Sequence, residues 1–180
     1  MSDDDDQRQR FAEYFAARQA TLRRTAYLLC GDWHWAEDLT QTAFIRLAAG
    51  WRRIQDPGAI DAFARTCLVR VYLAESRRMF RRRERPVAQL PDRAGADDRA
   101  ESVSRQLAFA NALQALPPRQ RATLICRFYQ DLDVAATAAV LGVSAGTVKS
   151  QTARGLAALH TALIAAGYEM TRLPAAGGMQ

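Results

Sequence analysis

The sequence has no apolar run that approaches the roughly 18 to 20 residues needed to span a membrane. Its N-terminus is Met-Ser followed by four aspartates, where a secretory signal peptide would have basic and then apolar residues. Both absences argue against export and against insertion into a bilayer. We therefore expect a cytoplasmic protein that has no membrane among its partners.

Cysteine and histidine are scarce, with three cysteines and two histidines in 180 residues. Cys30, Cys67 and Cys126 lie far apart in apolar helical patterns, so we expect core positions and neither a disulfide framework nor a zinc site. No Ser/His/Asp set, glycine-rich phosphate loop or paired carboxylates stand out. The sequence thus predicts no catalytic residue, no metal site and no cofactor, and we expect a protein that is not an enzyme.

Lysine is almost absent, since Lys149 is the only one among the 25 basic residues, and 19 acidic residues leave a net charge of +6. The segment from Arg65 to Arg85 contains eight arginines and two acids, which equals the excess of the whole chain. A concentrated basic stripe is typical of a protein that binds a polyanion.

Within this stripe, four arginines recur on one helical face: Arg70, Arg77, Arg78 and Arg81. Tyr72 and Phe80 add aromatic surface beside them, a combination suited to single-stranded nucleic acid. A solvated helix end gives the same charge pattern, because C-terminal arginines also complement the helix dipole.

Helical periodicity predicts an all-α protein with two small helical domains joined by a flexible linker. Three helices are expected in the first domain, at about Arg10–Leu29, Trp33–Trp51 and Ala59–Arg83. Prolines and a glycine interrupt the pattern in residues 86–100, which we interpret as the linker. The predicted domains span residues 8–85 and 101–165, with a disordered acidic tip from Met1 to about Arg8 and a disordered tail at 166–180.

The second predicted helix carries a face that mixes acid, amide and apolar groups. Its buried stripe is formed by Ala36, Leu39, Ala43, Leu47 and Trp51. Glu37, Asp38, Gln41 and Ile45 recur on a different side. A purely solvated face would rarely expose an isoleucine, so we interpret this side as a surface for a partner.

The segment from Leu116 to Leu163 has the pattern of a helix-turn-helix. Asp133 and Ser144 are good N-caps, and Gly142 suits the left-handed residue that ends a helix. Val148, Thr152, Gly155, Leu156 and Leu159 are expected to pack inward. The opposite face is small, polar and basic, as suits a helix in a major groove, although an ordinary amphipathic helix has a similar pattern.

Two motifs in this segment, Ala112–Arg121 and Leu141–Ser150, resemble region 4 of extracytoplasmic-function (ECF) RNA polymerase sigma factors, which are group 4 of the sigma-70 family. Response-regulator output domains of the LuxR type share much of this pattern, so the choice between the two families depends on the N-terminal half. There, Ala36–Phe44 resembles sigma region 2.2, and Ala62–Arg65 with Tyr72–Arg78 resembles regions 2.3 and 2.4. The sequence of Val148–Leu156 is most similar to that of the actinobacterial SigE-like group.

The resemblance implies a dissociable subunit that binds core RNA polymerase and promoter DNA and performs no chemistry itself. Region 2.2 implies docking on the β′ clamp helices, and region 4 implies contact with the β flap. An anti-sigma factor is a common partner in the family. The implied core-binding residues are Glu37, Asp38, Gln41, Thr42 and Ile45, those for the −10 element are Arg70, Arg77, Arg78 and Arg81, and those for the −35 element are Thr147, Lys149, Ser150, Gln151 and Arg154.

Two positions depart from the family pattern, since Thr42 replaces a frequent acid and Arg70 a frequent asparagine.

Two other functions fit parts of the sequence. A helix-turn-helix activator or repressor would need neither the partner surface around Asp38 and Gln41 nor the arginine stripe. A helical adaptor for an acidic protein or RNA would have no use for a recognition helix capped by Ser144.

Overall fold

The computed structural model describes residues 3–54, 56, 58–82 and 107–167, in which the chain forms helices and turns and no strand. Helix α4 comprises residues 107–114. The other helices are α1 (Asp3–Cys30), α2 (Trp33–Gly50) with a 3-10 turn at Trp51–Arg53, α3 (Ala59–Arg82), α5 (Pro118–Leu124) with a π-helical turn at Ile125–Tyr129, α6 (Val134–Leu141) and α7 (Ala145–Ala165). The predicted linker at 86–100, and the predicted tail beyond residue 167, lie outside the described residues.

The predicted signals around the helix-turn-helix are confirmed. Asp133 caps α6 by accepting from the Ala136 amide at 2.7 Å, and Ser144 caps α7 by accepting from the Thr147 amide at 3.1 Å. Gly142, with φ of 65°, ends α6 in the left-handed conformation that glycine adopts without steric cost. These local interactions fix where the recognition helix begins.

The predicted disordered tip is wrong for residues 3–8, which form the first turns of α1. Asp4 forms an ion pair with Arg8 at 2.8 Å one turn further on, and a second one with Arg52. Acidic residues in the first turn also favour a helix by interacting with its dipole. A run of aspartates that resembles a tail in sequence can therefore begin a helix.

Helices α1, α2 and α3, which we call the N-terminal group, pack into a bundle. All five residues of the predicted α2 stripe are buried. Phe11 of α1 lies edge-to-face with Trp51, at 5.1 Å between ring centroids, and Phe15 contacts Phe44 at 4.6 Å. Aromatic pairs of this kind contribute about 0.5–1.5 kcal/mol each beyond their burial. They hold α2 with its other side facing outward.

Helices α4 to α7, which we call the C-terminal group, lie directly against the N-terminal group. Four residues of the C-terminal group belong to the same buried cluster as residues of α1, α2 and α3: Ala122, Ile125, Cys126 and Val140. The sequence predicted two helical domains, which are present, but not their contact. The aromatic surface predicted at Tyr72 is wrong, since Tyr72 is only 1% exposed and its ring lies against Trp35 of α2.

All three cysteines are buried, as the sequence predicted, and each is a free thiol in the structure. Burial raises the pKa of the Cys30 and Cys126 thiols to about 12. Both thiols therefore stay protonated near neutral pH, where a thiol is a weak nucleophile and a poor metal ligand. Across the described ranges, no group of three or more His, Cys, Asp or Glu residues is placed to hold a metal ion.

Candidate partner surface and nucleic-acid interface

The predicted partner surface on α2 is one continuous face. Asp38, Gln41 and Ile45 are exposed, with Ile45 at 69%, whereas Glu37 and Thr42 are half-buried. Glu37 accepts from Arg23 of α1 at 3.2 Å. The structure therefore places all five predicted residues along one helix and leaves an apolar side chain, Ile45, uncovered beyond the polar ones.

This face continues toward the start of α2 in a way that the sequence analysis missed. His34 is exposed one turn before Asp38. Trp33 is 49% exposed and stacks on Tyr27 with ring centroids 4.1 Å apart, and the Arg23 guanidinium lies 5.5 Å from the Trp33 ring. The i, i+4 spacing of His34 and Asp38 is a sequence signal that could have indicated this extension. The stack of Tyr27 on Trp33 has no such signal, because it joins residues of two different helices.

Three of the predicted −10 residues line a common cleft of about 720 Å³ at the end of α3: Arg77, Arg78 and Arg81. All three are exposed, and Arg78 also forms an ion pair with Glu75 at 3.0 Å. Phe80 beside them is 85% exposed, as predicted. The cleft thus combines positive charge with an uncovered aromatic ring.

Arg70 does not join this cleft. It lies seven residues before Arg77, roughly two helical turns along α3, where α6 packs on the helix. Its guanidinium donates to the Ala139 carbonyl at 3.0 Å and to the Val140 carbonyl at 3.2 Å. The fourth predicted −10 residue is therefore engaged by the C-terminal group.

The recognition helix α7 exposes most of its predicted DNA-contacting face. Lys149, Ser150 and Arg154 are exposed, whereas Thr147 and Gln151 are half-buried. Gln151 lines the same cleft as Arg77, because α3 lies close to the start of α7. The five residues thus share one helix, but Gln151 faces the N-terminal group.

The inward face of α7 is largely as predicted, with Val148, Gly155 and Leu159 buried. Gly155 allows close approach to α5, since a Cβ there would lie 3.1 Å from Leu124 Cγ. The prediction is wrong for Leu156, which is 44% exposed. Its neighbour Gly155 supplies the contact with α5, so Leu156 lies at the edge of the helix interface.

Comparison with known proteins places this geometry in a family. Residues 14–85 match the model of sigma-70 region 2, and residues 106–159 match that of sigma-70 region 4. The RNA polymerase sigma-E factor of Streptomyces avermitilis is 38% identical over 153 residues, which cover 85% of this chain and 84% of the relative. The chain belongs to the ECF sigma factors. It therefore directs promoter-specific initiation of transcription by RNA polymerase.

Other relatives of this sigma factor agree. The sigma-E factor of Streptomyces coelicolor is 37% identical, covering 86% of both chains, and the ECF sigma factor SigM of Mycobacterium tuberculosis is 32% identical, covering 83% of this chain and 74% of SigM. The fold is also that of the Bartonella quintana sigma factor RpoE solved with the anti-sigma factor NepR. That likeness has a TM-score of 0.67 at 23% identity and covers 87% of this chain and 98% of RpoE.

The matched ranges contain every predicted site residue of this sigma factor. The α2 face and the α3 arginines lie in the region 2 match, and the recognition helix through Arg154 lies in the region 4 match. Among the described helices, none combines the length and hydrophobicity that crossing a bilayer requires.

Proposed function

We propose that three surfaces act in initiation. The α2 face binds core polymerase, the cleft arginines of α3 contact the −10 element, and α7 contacts the −35 element. The observation that carries this proposal is the exposure of Ile45, at 69%, one helical turn beyond the exposed side chains of Asp38 and Gln41 on the same face. Folding leaves Ile45 uncovered and, at the start of the same helix, Trp33 at 49%, and apolar and aromatic groups beside polar ones are typical of a surface that binds a partner. The α2 face is then the site for core polymerase, with the β′ clamp helices as its partner and the β flap as the partner of region 4.

The cleft arginines Arg77, Arg78 and Arg81 suit the −10 element. Guanidinium groups form charge-assisted hydrogen bonds to phosphates, which supply affinity and position without reading sequence. The exposed Phe80 ring offers a platform on which an unstacked base can lie. We assign these groups to holding the separated strand, while the protein itself provides no covalent chemistry and acts where the polymerase transcribes, in the cytoplasm.

The recognition helix suits the −35 element. Lys149, Ser150 and Arg154 are exposed in its first turns, with the half-buried Thr147 and Gln151 beside them, and a helix that enters the major groove uses these turns. Lys149 and Ser150 match phosphate, the first as a point charge and the second as a short donor. Gln151 can pair with adenine N6 and N7, and Arg154 with guanine O6 and N7 or with a second phosphate.

Gln151→Ala and Arg154→Ala separate base reading from phosphate contact. Loss of a bidentate base contact is expected to cost about 1–3 kcal/mol on the preferred −35 sequence and to relax preference at one position. Loss of a phosphate contact should weaken all sequences alike and reduce the salt slope by about one. Holoenzyme binding to a library of −35 variants at several salt concentrations distinguishes them, and unchanged behaviour of both variants would exclude this helix as the reader.

An anti-sigma factor is a further partner that we propose, because the structurally similar RpoE was solved with one. Its expected footprint is the cleft between the two groups, where four arginines would attract an acidic segment: Arg77, Arg78, Arg81 and Arg119.

The proposed function as a whole is tested by run-off transcription. Purified core polymerase and fragmented genomic DNA are combined with and without the protein. Discrete transcripts that require the protein are expected, and their 5′ ends locate the −10 and −35 sequences. Transcripts that are independent of the protein, or none at all, would contradict the division of labour proposed above.

A further inference from the structure

The cleft at the end of α3 carries positive charge that its own lining does not neutralise. In the described part of the chain, this lining has no aspartate or glutamate and has four arginines from two helices, Arg77, Arg78, Arg81 and Arg119. All four are exposed, and among the described residues only Arg78 of these four forms an ion pair, with Glu75 at 3.0 Å. Guanidinium groups bind phosphate or carboxylate oxygens through charge-assisted hydrogen bonds. The charge of the cleft therefore fits an anionic ligand.

Two side-chain amides of the cleft need a hydrogen-bond donor. Gln120 of α5 and Gln151 of α7 both line the cleft, and the Oε1 atom of each is buried with no hydrogen-bond partner among the described residues. Buried polar atoms of native proteins nearly always have a partner, which is a protein group, a water molecule or a ligand. An amide oxygen accepts from N–H or O–H groups and repels an anion. A ligand that fits the whole cleft thus carries donors as well as negative charge.

The rest of the lining offers a surface for a flat ring. Phe80 is 85% exposed, and Leu73, Pro117 and Pro118 add apolar area. Aromatic side chains bind nucleobases by stacking, and a guanidinium plane can stack on a ring as well. The volume of about 720 Å³ lies within the roughly 300–1,000 Å³ of small-molecule sites. Negative charge, N–H donors and a flat ring are combined in a nucleotide.

We propose that this cleft binds a free nucleoside polyphosphate whose base carries an amino group, of which ATP is an example. The arginines bind the phosphates, Phe80 stacks on the base, and Gln120 or Gln151 accepts a hydrogen bond from the amino group. The contacts come from side chains of α3, α5 and α7. For this reason the site has no local sequence motif of the glycine-rich kind.

Phosphates and bases could reach the cleft from a free nucleotide or from a DNA strand. Arg77, Arg78 and Arg81 are the residues that we assign to the separated −10 strand, so nucleotide and strand compete for them. This competition rests on the proposed −10 role, whereas nucleotide binding does not. Arg119 and Gln120 lie on α5, outside both sets of DNA-contacting residues, and they distinguish the two sources.

The test is isothermal titration calorimetry of the free full-length protein, without DNA, polymerase or magnesium. Four ligands are compared: ATP, ITP, which has an oxygen in place of the amino group, inorganic tripolyphosphate and adenosine. The variants are Arg119→Gln, Gln120→Leu and Gln151→Leu. Arg24→Gln is the matched control, because Arg24 is exposed on α1 and its substitution removes the same charge as Arg119→Gln. Circular dichroism verifies that each variant is helical.

ATP is expected to bind at one site per chain, about tenfold or more tightly than tripolyphosphate or adenosine, because only ATP combines phosphates with a stacked base. Loss of a neutral hydrogen bond makes ITP weaker by about fivefold. Arg119→Gln lowers ATP affinity about tenfold or more, since a charge-assisted bond is lost, and Arg24→Gln leaves it unchanged. At least one glutamine variant loses the preference for ATP over ITP.

Three results would overturn the proposal. Tripolyphosphate that binds as tightly as ATP would mean an adventitious ion only. Equal affinity for ATP and ITP, or a preference retained by both glutamine variants, would exclude the amide contacts. Equal effects of Arg119→Gln and Arg24→Gln would place the nucleotide outside the cleft, and the exposed Arg119 decides alone if a glutamine variant does not fold. Absence of run-off transcripts would contradict the proposed function and leave the calorimetric result unaffected.

Discussion

Asp38→Arg is expected to abolish co-purification with core polymerase while the protein remains helical. Asp38 is exposed on α2, and Gln41 and Ile45 follow on the same face. An acid at the centre of such a face is suited to a basic partner helix, and reversing its charge replaces attraction by repulsion at contact distance. Charge pairs desolvated in an interface cost about 2–5 kcal/mol when broken, which is at least roughly a thirtyfold loss of affinity.

The measurement is binding of core polymerase to the immobilised protein, with circular dichroism of the free variant. Glu13→Arg is the matched control, because Glu13 is an exposed acid on α1 whose carboxylate accepts a hydrogen bond from Gln9 at 2.8 Å. Ile45→Ala tests the apolar part of the face, and a loss smaller than that of Asp38→Arg is expected. Undiminished binding by Asp38→Arg would remove α2 from the polymerase interface.

Local features of this fold could be predicted from sequence because each depends on neighbouring residues. The caps at Asp133 and Ser144 are one-turn hydrogen bonds, and Gly142 ends α6 by its own backbone freedom. The buried stripe of α2 follows from spacing alone. The face around Asp38, with Glu37, Gln41 and Ile45, follows from the same periodicity, whereas Thr42 was added by the resemblance to sigma region 2.2.

Features that depend on contacts between distant parts of the chain could not be predicted. Tyr72 neighbours the arginine stripe in sequence but is covered by tertiary packing. The centroids of the Tyr72 and Trp35 rings are 5.9 Å apart. Arg70 has the same spacing as the cleft arginines, yet its partners lie on α6, about 70 residues further along the chain. Arg121 is a charged residue whose burial depends on carbonyls of α1 and α4. Sequence periodicity identifies a helical face but not the surface that covers it.

Arg77→Gln combined with Arg78→Gln is expected to reduce open-complex formation far more than core binding. Both side chains are exposed in the cleft, away from the α2 face, and the ion pair of Arg78 with Glu75 is exposed and therefore weak. Hydrogen bonds to charged groups contribute about 1.5–3 kcal/mol each, so two lost contacts amount to about 3 kcal/mol or more. That is roughly a hundredfold in the equilibrium for opening.

Permanganate footprinting of the melted −10 region measures this effect against holoenzyme assembly in the same samples. Arg52→Gln with Arg53→Gln is the matched control, since it removes two adjacent exposed arginines from the 3-10 turn. Each phosphate contact on a single strand contributes about 0.7 to the salt slope, so the cleft variant should lose about 1.4. Contact with the separated strand lowers opening alone. If the variant loses opening and assembly equally, or loses neither, these arginines form a solvated helix end.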